Sequence, residues 1–325
     1  MSRAEAAPEQ AGTERAGPQD GSATVATVTV ATSAALLPVD GDGRDPVRSW
    51  LRLLRSEVSL VFRRWRNVAL LAVVVVLPVM LGIALRLAAP QPSGGGGGGG
   101  GPNAFLIDQL AGNGVFLAFV ALTIMMTLVL PLTVAVVSGD SVAGESSLGT
   151  LRYLLTVPAG RTRLLAVKYV AVVLFGLTAC VLVSVASLLA GIALFPVGPV
   201  TLLSGTTVSL ADGLLRLLFV TLYIAAGMAA LAAIGLAIST LTEHPIAAIA
   251  ATLVLAVASE VADNVPQFAV VQPYLPTHWW LSFDAFLRSP VDTSAYLHGL
   301  LSFGVYAALF VSIAWARLST ADVTS

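Results

Sequence analysis

Three kinds of side chain in this 325-residue chain could do chemistry: one thiol, three imidazoles, and a charged insert between apolar runs. Cys180 is the single cysteine and sits inside an apolar run, so an intrachain disulfide or a cysteine-based metal site is excluded. It reads as a small packed residue. His244, His278 and His298 have no metal-ligand spacing among themselves or with carboxylates. Serine, histidine and aspartate are all present, but no serine lies in a G-x-S-x-G nucleophile motif. Eight consecutive glycines, Gly94–Gly101, could cradle a phosphate, yet no Lys-Ser or Lys-Thr pair and no helix start follow them. They read as a flexible linker with a reach of about 16 Å. No Walker A pattern occurs, so ATP hydrolysis by this chain itself is not expected. The reading therefore assigns no catalytic, cofactor-binding or metal-binding residue. What remains is the insert "SVAGESSLGTLRYLLTVPAGRTRLLAVKYV", Ser141 to Val170.

The surroundings of that insert are strongly apolar. The chain is 57% hydrophobic and 11% charged, with a mean hydropathy of +0.88. Soluble domains carry about a quarter charged residues, so the spare apolar surface must face lipid. Arginine outnumbers lysine sixteen to one, and Ala, Val, Gly and Leu dominate, as in proteins of GC-rich bacterial genomes. Residues 1–45 hold seven acidic and three basic residues, no aromatic residue and no apolar period. They read as a disordered acidic tail, without the basic start and apolar core of a secretory leader. Residues 46–66 differ. Leu51, Leu54, Val58, Val61 and Trp65 recur at steps of three and four, with Arg48, Arg52, Arg55, Ser59, Arg63 and Arg66 on the other side. This pattern predicts a basic amphipathic helix in the headgroup layer of a membrane.

Six apolar segments follow, near 67–88, 115–138, 164–190, 214–239, 245–262 and 297–317. Each approaches the roughly 20 residues that a helix needs to cross a bilayer. The first contains Pro78 and ends at Arg86, which can snorkel. The fifth is short and carries Glu260 near its end. The expected class is an all-α membrane protein of six transmembrane helices, with an amphipathic N-terminal helix and a helical outer loop before the last span. With the amino terminus inside, the inner side collects the six arginines of 48–66 plus Arg152, Arg161, Arg163, Lys168 and Arg317. The outer side keeps only Arg86, Arg216 and Arg288, as the positive-inside rule asks. Both termini are then cytoplasmic. The outer loop 263–296 holds four prolines and the pair Trp279–Trp280, and reads as short helices dipping into the outer leaflet.

The insert falls on the inner side, in a loop spanning 139–163. Ser146 or Ser147 can cap a helix starting near Leu148, and Pro158 with Gly160 ends it. Leu148, Leu151, Leu154 and Leu155 form one face of that helix. An apolar ridge on a wet surface suits a groove in another protein, or the underside of the leaflet.

"GDSVAGESSLGTLRYLLTVPAGRTRLLAVKYV" resembles the first cytoplasmic loop of the type-2 ATP-binding-cassette (ABC) exporter permeases. The matching positions are Asp140, Glu145, Gly149, Thr150, Leu151, Leu154, Leu155, Pro158, Arg161, Arg163 and Lys168. The likeness extends from about residue 46 onward, so that 67–320 would be the six-span permease domain. The polyglycine loop, the acidic tail and a serine pair depart from the family pattern. The resemblance implies a bacterial plasma-membrane permease subunit that exports an amphipathic or lipid-like substrate. It implies two copies facing each other, or one copy with a related permease, above two separate ABC ATPase subunits that carry the ATP and magnesium. Glu145–Pro158 would then be a coupling helix. Leu151, Leu154 and Leu155 would enter the ATPase groove, Glu145, Arg152 and Arg161 would line its rim, and Gly149 would allow close backbone approach. Membrane lipids are expected partners and nucleic acid is not. Two other readings are an ATP-independent secondary carrier, disfavoured by the scarcity of charge inside the spans, and a non-transporting scaffold or sensor that docks a cytoplasmic protein.

Overall fold

The computed structural model describes residues 46–88, 113–147, 161–201, 205–288 and 293–320. The tail 1–45, the polyglycine run and the ridge 148–160 lie outside those residues.

The described chain is nearly all helical. The helices are α1 (Pro46–Arg63), α2 (Trp65–Ala88), α3 (Phe116–Thr127), α4 (Val129–Ser147), α5 (Arg161–Leu194), α6 (Leu210–Leu241), α7 (Pro245–Asp263) and α8 (Thr293–Thr320). Five of them, α2, α5, α6, α7 and α8, are each long and apolar enough to cross a membrane, and α3 with α4 makes a bent pair that counts as a sixth if the two form one span. Five of the six expected spans are single helices of that kind and the bent pair falls on the sixth, and this is a multi-pass membrane protein. At 1.5 Å per residue the 34-residue α5 is about 51 Å long, against a hydrocarbon thickness of about 30 Å. It is therefore long enough to span the hydrocarbon even when tilted.

α3 and α4 meet at a 50° bend between Thr127 and Val129, where the sequence predicts one span near 115–138. Leu128, at the break, leaves helical geometry with φ −143° and ψ −45°. Pro131 lies four residues beyond Thr127 and has no N–H to offer that carbonyl, and its ring crowds the same oxygen. Pro131 was the legible signal for this bend. Pro78, by contrast, leaves α2 continuous.

α6 is the central helix. Leu217, Val220, Tyr223, Ile224, Met228, Ile234 and Leu236 along it are buried. α2 turns Val73, Val76, Met80 and Ile83 outward to lipid. Small residues bring the helices close, as is usual where lipid is no less apolar than the protein. A Cβ on Gly139 of α4 would sit 2.8 Å from the backbone nitrogen of Ile249 on α7. Ser239 of α6 reaches into α4. Its hydroxyl donates to Gly139 O (2.7 Å) and accepts from the amides of Val142 (3.1 Å) and Ala143 (2.9 Å). Ser239→Ala leaves those buried groups without this partner. It is expected to cost about 1–2 kcal/mol, read by equilibrium unfolding in mixed micelles.

The bundle has two distinct ends. At one, α1 meets α4 and α5. At the other, Asn113 accepts from Val115 N–H and donates to the carbonyls of Gly198 (2.6 Å) and Pro199 (2.9 Å), tying the start of α3 to the end of α5. A two-stranded ribbon, β1 (Val200–Thr201) with β2 (Thr207–Val208), closes this end, and nothing in the hydropathy pattern predicts it. Between α7 and α8 the chain makes three 3₁₀ turns, Pro266–Phe268, Gln272–Tyr274 and Trp280–Leu287. Tyr223 of α6 donates to Trp279 O (2.7 Å), and Arg216 donates to Phe286 O (2.5 Å) and Arg288 O (3.2 Å), which pins this segment to α6.

Candidate functional site

The charged residues of the α1–α4–α5 end form one network. α1 carries a single acid, Glu57, among its arginines. The helix packs Leu54, Val58, Val61 and Phe62 half-buried against the bundle, with the Phe62 ring edge-on to Phe175 of α5 at 5.3 Å. Much of the face expected to lie in the headgroup layer is thus covered by protein, while Leu51 and Trp65 stay exposed. That packing turns Glu57 inward.

Lys168, on the second turn of α5, answers it. Its Nζ donates to Glu145 Oε1 at 2.5 Å and to Glu57 Oε2 at 3.5 Å. The Lys168 side chain is only 4% exposed, and Glu57 and Glu145 are 14% and 15% exposed, so solvent screens little of the interaction. One turn back on α4, Asp140 Oδ2 accepts from Arg64 and from Arg66 Nη2 (2.8 Å). Gly144 leaves room for that carboxylate, since a Cβ there would meet Asp140 Oδ1 at 2.7 Å. Asn67 donates to Val61 O (2.8 Å) and holds the corner between α1 and α2. In these pairs among the described residues three acids face three bases, and their charges balance.

The network clamps both stems of the segment 148–160. α4 ends at Ser147 on one side of it and α5 opens at Arg161 on the other. The far end of α8 adds a further tie, with Trp315 Nε1 donating to Thr162 Oγ1 (3.0 Å). Val142, Leu165, Leu236, Ala237 and Ala314 form a small buried cluster beneath. Among the described residues no three His, Cys, Asp or Glu side chains gather as ion ligands. The ion pairs tie α1, α4 and α5 to one another, because separating buried partners is costly.

Of the residues singled out in the sequence, Glu145 lies in this cluster with one carboxylate oxygen on Lys168, and Arg161 is the first residue of α5. Gly149, Thr150, Leu151, Arg152, Leu154, Leu155 and Pro158 lie outside the described residues. Glu57, Arg64 and Arg66 were not singled out. A lone acid in an arginine-rich helix was the available signal for Glu57.

Residues 104–259 match the family model described as ABC-2 family transporter protein. The match runs from before α3 into α7 and includes Asp140, Glu145 and Lys168. Among curated proteins, none matches this chain. With that match laid over a multi-pass helical bundle, residues 104–259 are those of an ABC-2 family transporter protein, a membrane-spanning permease.

Proposed function

We propose that this permease serves as the membrane half of a bacterial exporter, driven by ATP hydrolysis on separate ABC ATPase subunits. The loop around Glu145–Pro158 is its coupling helix. Leu151, Leu154 and Leu155 enter a groove on the ATPase, and Arg152 and Arg161 line the rim. The observation that carries this reading is the buried ion network of Glu57, Glu145 and Lys168. It makes the two stems of that segment and the interfacial helix a single lever. ATP must bind one state of the complex better than the other to move it. In this reading the ion-paired end is cytoplasmic, two permease domains face each other, and the plasma membrane is the site of action. Spans filled with Ala, Val and Leu favour an amphipathic or lipid-like cargo.

Co-purification of the full chain with its ATPase tests the coupling. Leu151→Asp combined with Leu154→Asp is expected to weaken ATPase binding by at least about tenfold, or about 1.4 kcal/mol, and to stop transport. Unchanged binding and transport would overturn the assignment. Orientation is checked separately. A thiol engineered at residue 152 should resist a membrane-impermeant reagent in intact cells and react in inverted vesicles.

A further inference from the structure

At the end opposite the ion network, a cavity of about 470 Å³ lies between α6, α8 and the last 3₁₀ segment. Its volume is that of a small-molecule site rather than a packing defect. The lining is apolar and open to the lipid side, since Leu215, Phe219, Leu222 and Leu300 are all well exposed. The back wall is rigid. Phe286 stacks on Tyr296 (5.0 Å between centroids) and on Phe219 (6.0 Å). Two charged residues stand at the margin, one turn apart on α6. Asp212 carries a part-exposed carboxylate that accepts from Arg216 Nε at 2.9 Å. Arg216 Nη1 is committed to the carbonyls of Phe286 and Arg288, so the guanidinium is held in place. Its Nη2 has no hydrogen-bond partner among the described residues.

We propose that this cavity binds one membrane phospholipid with a zwitterionic headgroup, an acyl chain lying in the aromatic slot. The headgroup assignment follows from charge. The margin presents one fixed cation and one fixed anion side by side, which match the phosphate and ammonium of a zwitterion. An anionic headgroup at Arg216 would add a second negative charge beside Asp212, which already shares that guanidinium, and would bring no cation to balance it. The slot supplies the apolar burial that holds the chain, and the charge pair selects the head. The proposal rests on the membrane-spanning architecture and is independent of ATPase docking.

Photolabelling of the full chain in phosphatidylglycerol nanodiscs tests it. Trace phosphatidylethanolamine or trace phosphatidylglycerol, each with a photoreactive acyl chain, serves as probe, and adducts are mapped by mass spectrometry. Adducts of the ethanolamine probe should concentrate on Leu215, Phe219, Leu222, Tyr296 and Leu300, at about fivefold or more above the glycerol probe. Filling the slot with Leu222→Trp and Leu300→Trp should reduce that labelling by about tenfold, whereas Val254→Trp on the lipid face of α7 should not. Asp212→Asn, at an exposed margin position, should bring the two probes to parity while tail labelling persists. Labelling spread evenly over α2, α7 and α8 would overturn the site. Equal labelling of the unaltered protein by both probes would overturn the headgroup assignment. A slot protected from both probes, with chain-to-chain cross-linking through Leu215→Cys, would give the surface to a second copy and overturn the lipid.

Discussion

Lys168→Met should cost the folded protein about 3–5 kcal/mol, the range for breaking a buried ion pair by removing one partner. Methionine replaces most of the aliphatic stem, so packing changes little. What changes is charge: Glu57 and Glu145, each about one-seventh exposed, lose the buried ammonium that they share. Equilibrium unfolding in mixed micelles, followed by tryptophan fluorescence, reads the loss. The triple variant Lys168→Met with Glu57→Gln and Glu145→Gln should recover most of it, because a neutral trio carries no uncompensated charge. A cost under about 1 kcal/mol for Lys168→Met would mean that the cluster behaves as a solvated surface pair. Coupling provides a second readout. If the stems move as one lever, the triple variant regains stability without regaining full transport, since the tie between α1, α4 and α5 is weaker.

The second large effect is steric and lies on the adjoining face of α4. Gly139→Ala should destabilise by about 1–3 kcal/mol, the usual range for adding a methyl where there is no room. The new Cβ would lie 2.8 Å from Ile249 N and 3.0 Å from its Cα, and backbone cannot swing aside as a side chain can. α7 would have to retreat from α4. The Gly139 carbonyl would shift with it, loosening its hydrogen bond from Ser239. Gly304 on α8 is the matched control. No atom lies within 4 Å of a Cβ built there, so Gly304→Ala should be neutral or stabilising by up to about 1 kcal/mol through helix propensity alone. The same unfolding measurement separates the two. Equal effects at both positions would show that α4 and α7 are not in close contact.

The site was half legible in the sequence. Asp140, Glu145 and Lys168 stood out because they are polar residues in an apolar chain and fit a recognisable loop pattern. Their partners did not. Glu57 and Arg64 look like ordinary members of a charged helix face, and only the way α1 packs on α5 turns Glu57 inward. Lys168 and Glu57 are 111 residues apart, and no local period relates them.

The same division holds for the whole molecule. The sequence alone determined the six apolar segments, their boundaries to within a few residues for most, and the gathering of positive charge at one end. Lipid acts as a solvent on each segment separately, so a 20-residue average of hydropathy carries that information. Tertiary structure decided where those segments bend and what they touch: the break at Leu128, the Ser239 hydroxyl set against α4, the ion network, and the aromatic slot between α6 and α8. Each depends on which face of one helix meets which face of another, and within a uniformly apolar span no hydropathy contrast marks that face.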